Sequence, residues 1–280
     1  MSIEFQSRIK IYYHDLSNKE KSLADYLLKE SEIASRQSIH DLSAKIGISV
    51  ATTSRFAKKI GYKNFQEMRL SLSNNKSAGH SFFTSINEDD TLLNIASKTF
   101  NTNIASLQAT GSMLSENILE KAYKLLQNAN TLALFGLGGS SVVTLEAYHK
   151  FLRTPLKCFY NQDYHIQLMS AATLNENDVA LVVSHTGRNR EILEIVSILQ
   201  SNQVPIISIT SSPSSPLAQK STVTLLSISE ETNYRPESIS STVAQLTIVD
   251  ALFMLYASHQ KADAVKTIEK ISEVIKTTRV

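Results

Sequence analysis

Two short stretches carry the residue types best suited to chemistry. One reads Phe-Gly-Leu-Gly-Gly-Ser-Ser over 135–141, the other Ser-His-Thr-Gly-Arg-Asn-Arg-Glu over 184–191. Each follows a predicted strand and opens a predicted helix. Gly138, Gly139 and Gly187 allow backbone amides to approach an anion, and a helix N-terminus favours negative charge there. Ser140, Ser141, Ser184, Thr186 and Asn189 could donate hydrogen bonds to a phosphate or a sugar. The first stretch is not the dinucleotide fingerprint, because Ser141 stands where a third glycine is due after Gly136 and Gly138. Either loop alone also fits a plain strand-to-helix connection. Two such loops in one sheet indicate an anionic ligand at its carboxyl edge. Six of the eight glycines (47, 61, 136, 138, 139 and 187) lie in turns given a functional role here.

A different chemistry is written between Gly47 and Gly61. The two glycines bracket one short helical segment. Its apolar positions Val50, Phe56, Ala57 and Ile60 share one side, leaving Thr52, Thr53, Arg55, Lys58 and Lys59 to face a groove. A reading helix needs small or hydrogen-bonding residues at its N-terminal end to meet base edges. Ser49, Thr52, Thr53 and Arg55 supply them, while Lys58, Lys59 and Lys63 could contact phosphates and set register. Charge agrees. Residues 1–77 hold 13 of the 28 basic and 8 of the 26 acidic residues, net +5, and the remainder carries net −3. A basic head on a mildly acidic body suits a polyanion-binding module attached to a sensor.

The elements that must position these residues follow from periodicity. The first 77 residues read as all-helical. A helix over 4–16 is followed by Ser17 and Glu20 as a capping box. The next helix turns Leu23, Tyr26, Leu27 and Ile33 inward. A short helix from Ser38 or Ile39 to Lys45 ends at Gly47, Ser49 caps the reading helix, and a last helix carries Phe65, Met68 and Leu72. Residues 73–90 lack periodicity, and 78–90 is assigned as a linker. A long helix is predicted from Thr91, then another over 116–127. Apolar runs at 131–135, 156–160, 179–184, 205–210 and 222–227 alternate with helical stretches, which indicates a parallel sheet covered on both faces. Helices over 238–258 and 262–276 close the chain. The expected fold is therefore α/β: an all-α helix-turn-helix domain, then a doubly wound parallel-sheet domain over 91–280 with its core at about 120–255.

With 280 residues and 42% hydrophobic content the chain can fill two cores. No apolar run is long enough to span a bilayer, and the first ten residues are polar and charged, without a signal pattern. The single cysteine, Cys158, lies in an apolar stretch and reads as core. The seven histidines lack zinc-ligand spacing. No metal and no cofactor are expected, and a reducing cytoplasm fits.

The two halves together resemble a known family. Residues 1–77 resemble the N-terminal domain of RpiR (MurR/RpiR) bacterial transcription regulators. Residues from about 120 to 255 resemble a sugar isomerase (SIS) domain. The resemblance is carried by Ala51-Thr-Thr-Ser-Arg-Phe-Ala-Lys-Lys-Ile-Gly-Tyr-Lys-Asn-Phe, by Ser184-His-Thr-Gly-Arg and by Ser241-Thr-Val-Ala-Gln-Leu-Thr-Ile-Val-Asp-Ala-Leu-Phe. It implies a sugar phosphate held by Ser140, Ser184, Thr186 and Asn189. It implies binding to a double-stranded DNA operator, and a homodimer or homotetramer joined through SIS domains. Three positions depart from the family pattern: Thr186 for serine, Asn189 for threonine and Thr242 for arginine. The last removes a positive charge.

SIS folds also occur in isomerases, whose chemistry needs a placed base. Glu237 and His185 are candidates for a base or a ligand contact. Each has a plain alternative, Glu237 as a helix N-terminal acid and His185 as a loop-bonding residue. A DNA-reading head makes little sense on a simple isomerase, so the expectation is a regulator with no catalytic residue.

Overall fold

Serine caps start three helices of the N-terminal unit. In the computed structural model, which describes residues 5–73, 86–87, 89–229 and 241–276, Ser17 accepts from the Glu20 amide while Glu20 reaches back to the Ser17 amide. This starts α2 (Asn18–Lys29). Ser38 and Asp41 form the same box ahead of α4 (Ile39–Ile46), and Ser49 caps α5 (Val50–Lys59). Between α4 and α5 the chain turns at Gly47, with φ of 74°. Its amide bonds the Ala44 carbonyl and the Ile48 amide bonds the Ser43 carbonyl, the paired closure of a left-handed helix stop. Gly61, with φ of 85°, closes α5 the same way through Lys58 and Ala57. α6 spans Phe65–Ser73. Leu23, Leu27, Leu42, Phe56, Ile60 and Met68 fill the core.

Two expectations here are corrected. The first helix, α1 (Phe5–Tyr12), does not run on to Leu16. A 3-10 turn (Tyr13–Asp15) follows it, and Leu16 goes extended to lead into the Ser17 cap. α2 stops at Lys29, because Glu30 leaves helical backbone and α3 (Ser31–Arg36) starts afresh. That break turns Ile33 outward, 51% exposed, and Ala34 takes the buried place.

Contacts divide the chain into Met1–Ser112 and Met113–Val280. The long helix α7 (Leu92–Met113) falls with the first unit, and Leu92, Leu93, Phe100 and Ile104 on it are exposed. Residues 74–85 and 88 of the expected linker region lie outside the described residues.

The second unit is a three-layer α/β structure. α8 (Glu116–Asn128) precedes β1 (Thr131–Phe135), α9 (Gly139–Phe151), β2 (Lys157–Tyr160), α10 (Tyr164–Thr173) and β3 (Val179–Val183). Then come α11 (Arg190–Ser201), β4 (Ile206–Thr210), α12 (Pro216–Lys220), β5 (Val223–Leu226), α13 (Thr242–His259) and α14 (Lys261–Lys276). The five strands are all parallel, in the order β2-β1-β3-β4-β5. Alternate strand residues serve opposite faces. Leu132, Leu134, Leu181 and Val183 join α8, α9 and α13 in one core, while Ala133, Phe135, Ala180 and Val182 join α10, α11 and α12 in the other. The short helix α12 lies between two apolar runs where the sequence pattern predicts no helix. Ser215 caps it and Pro216 opens it.

Candidate functional site

Helix α5 presents fewer free groups to solvent than its sequence suggests. Arg55, Lys58 and Lys63 are exposed, and Ser49 is exposed while capping the Thr52 amide at 3.1 Å. Thr52 is half-buried, with its hydroxyl 2.8 Å from Ser49 Oγ. Thr53 does not face a groove. It is fully buried, and its hydroxyl lies 2.7 Å from that of buried Ser43 on α4. Thr53 falls one helical turn before Ala57 and three residues before Phe56, on the core side. Lys59 is held too, its Nζ 2.9 Å from Glu20. Burial pushes the Glu20 carboxyl up, but bonds from Lys59 and from the Ser17 amide and hydroxyl outweigh it, so Glu20 titrates below the ordinary carboxylate range.

At the sheet, β1 and β3 lie side by side and the strand order reverses between them. The two hydroxyl-bearing loops leave the carboxyl ends of these neighbouring strands, at the topological switch point where α/β sheets bind ligands. Gly136 brings strand and helix into close approach, since a Cβ there would sit 2.9 Å from both the Ser140 carbonyl oxygen and Thr144 Cγ2. Gly138 takes φ of 55° and starts α9 without a side-chain cap. Ser140 is half-exposed. The Ser141 hydroxyl is spent locally, donating to the Gly138 carbonyl at 2.7 Å.

In the second loop Ser184 and His185 are buried at the strand end, and Thr186 and Asn189 are exposed. Asn189 caps α11: its Oδ1 accepts from the Ile192 amide at 2.9 Å, which leaves the carboxamide NH2 as its donor. Thr186 Oγ1 accepts from the Arg188 amide at 3.3 Å. Gly187, with φ of 61°, is pressed so tightly that a Cβ would meet Ser215 Oγ at 2.4 Å. Glu237 lies outside the described residues. Cys158 is half-buried, its thiol pushed up to about 12 by desolvation, which disfavours the thiolate.

The chain matches the family model for a helix-turn-helix domain of the rpiR family over residues 3–79, and that for the SIS domain over 125–255. An HTH-type transcriptional regulator of Caldanaerobacter subterraneus subsp. tengcongensis is 32% identical over 93% of this chain and 93% of its own length. The regulator HexR of Pseudomonas aeruginosa is 31% identical over 99% of this chain and 95% of its own. The chain belongs to the RpiR family of transcriptional regulators. It joins a helix-turn-helix domain to a SIS domain, as its regulator relatives do along nearly their whole length. Among solved structures, Vibrio vulnificus NanR complexed with ManNAc-6P aligns over 99% of both chains, with a TM-score of 0.62 at 23% identity.

In this RpiR-family chain, sequence reasoning passed over two parts of the sheet edge. Gln167 on α10 is fully buried and donates to the Gly136 carbonyl at 3.2 Å and the Asn161 carbonyl at 2.9 Å, tying the first loop to the end of β2. Nothing near Gln167 in sequence announces that. The β4–α12 loop, Thr210-Ser-Ser-Pro-Ser-Ser-Pro, did carry a signal: it is hydroxyl-rich and follows an apolar run. Among the described residues no helix is long and apolar enough to cross a membrane.

Proposed function

We propose that this regulator binds an operator through its N-terminal unit and that a sugar phosphate held at the carboxyl edge of β1 and β3 modulates that binding. The meeting of two hydroxyl-bearing loops at the switch point of the sheet carries the reading. NanR, on the same fold, was solved with a sugar phosphate, which supports the ligand class. Ser140, Ser184, Thr186 and Asn189 donate to the phosphate, with Gly138, Gly139 and Gly187 giving backbone access. Arg55, with Ser49 and Thr52 at the helix start, reads bases, and Lys58 and Lys63 hold phosphates. The working division is 1–77 for DNA, 78–90 as linker and 91–280 for the effector. The protein acts in the cytoplasm as a homodimer or homotetramer joined through SIS domains.

The switch requires only that the effector prefer one arrangement of the assembly, since a ligand shifts an equilibrium by its differential affinity. The test begins with a thermal-shift screen of sugar phosphates against the full chain. With a hit in hand, Ser184→Ala abolishes or blunts the effector's influence in a gel shift while binding of DNA without effector stays intact. Unchanged effector affinity of Ser184→Ala in calorimetry would remove the phosphate from this loop.

A further inference from the structure

The geometry points to Thr210 and Ser211, at the end of β4, as positioning residues that aim the Thr186 backbone amide at the bound phosphate. This inference rests on the sheet-edge site proposed above.

One carbonyl is the pivot. The His185 oxygen accepts from Thr210 Oγ1 at 2.9 Å, from Ser211 Oγ at 2.9 Å and from the Ser211 amide at 2.8 Å. Thr210 is fully buried and Ser211 half-buried. A peptide oxygen has two lone pairs, so three donors crowd it from the side of β4. The peptide joining His185 to Thr186 is planar and trans, so its N–H points opposite to its C=O. Holding the oxygen toward β4 therefore turns the Thr186 N–H away from β4. Three donors on the oxygen also polarise the peptide and strengthen its N–H as a donor. Gly187 follows at once, wedged on Ser215 and Thr210, and its carbonyl accepts from the Leu217 amide at 3.1 Å. The loop is thus fixed on both sides of the 185–186 peptide by one neighbouring loop, and neither Thr210 nor Ser211 needs to touch the ligand.

The test uses the full-length protein labelled uniformly with 15N and titrated with inorganic phosphate. The Thr186 amide signal, assigned by its loss in Thr186→Pro, moves downfield as phosphate is added. In Thr210→Val, and separately in Ser211→Ala, the phosphate midpoint rises by about ten-fold, the scale of a lost hydrogen bond to a charged acceptor. Thr210→Ser restores it, which a loss of packing alone would not allow. Ser211→Ala, at a half-buried position, keeps the test alive if Thr210→Val does not fold. Midpoints unchanged in both variants overturn the positioning role. So does a Thr186 signal that stays still while Ser184→Ala abolishes phosphate binding, an outcome that leaves the site itself standing. Phosphate that moves no signal in 136–141 or 184–189 overturns the inference and the site together.

Discussion

At the scale of single residues, a hydroxyl or a cation contributes according to which side of its helix it occupies. Arg55 is exposed on the reading helix, and Arg55→Ala weakens operator binding by about 1–3 kcal/mol, the worth of a bidentate base contact. A gel-shift titration measures it, and full affinity in the variant would take Arg55 out of the reading set. Thr53 sits two residues earlier and has the opposite signature. Thr53→Val strands the buried Ser43 hydroxyl, which costs about 1–3 kcal/mol of stability, read from denaturant unfolding. Glu20 gives the N-terminal unit a pH dependence. Its carboxyl is depressed in the folded state, so its contribution is present above the ordinary carboxylate value of about 4.3. That contribution is lost as pH falls through the depressed folded value. Glu20→Gln therefore flattens the acid limb of the thermal stability profile, and an unchanged limb would assign that limb to other carboxylates.

At the scale of elements, two left-handed glycines separate conformational strain from crowding. Around Gly47 a Cβ would find open space, so Gly47→Ala costs only the left-handed penalty, about 1–2 kcal/mol. At Gly187 the same strain is joined by collision with Ser215 and Thr210, so Gly187→Ala must also displace the β4–α12 loop. Calorimetric melting should show the larger loss for Gly187→Ala, and equal losses would mean that the loop yields freely. The helix stops at Gly47 and Gly61 and the starts at Ser17 and Ser49 were legible in sequence because caps are local bonds spanning three to five residues. The break at Glu30 was not, because the run from Leu23 to Ile33 keeps a helical rhythm across it. The collision at Gly187 was illegible for another reason: its partners stand some 25 residues downstream.

At the scale of the whole molecule, the proposed coupling predicts a symmetric footprint. If two copies pair their heads about a two-fold axis, a nuclease footprint covers two inverted half-sites one helical turn, about 34–36 Å, apart or a multiple of that spacing. The effector should then change protection of both half-sites together, and protection of a single half-site would argue against paired heads. The sequence by itself determined the helical head, the short basic helix between Gly47 and Gly61 and the alternation of apolar runs and helices, since each rests on short-range pattern and on burial that a strand or helix advertises in its own residues. Only the tertiary structure decided that β1 and β3 are neighbours, that Thr53 is buried against Ser43 while Lys59 pairs with Glu20, and that the β4–α12 loop grips the 184–189 loop. Those are facts of strand order and packing, in which the partners lie far apart along the chain and no local periodicity names them.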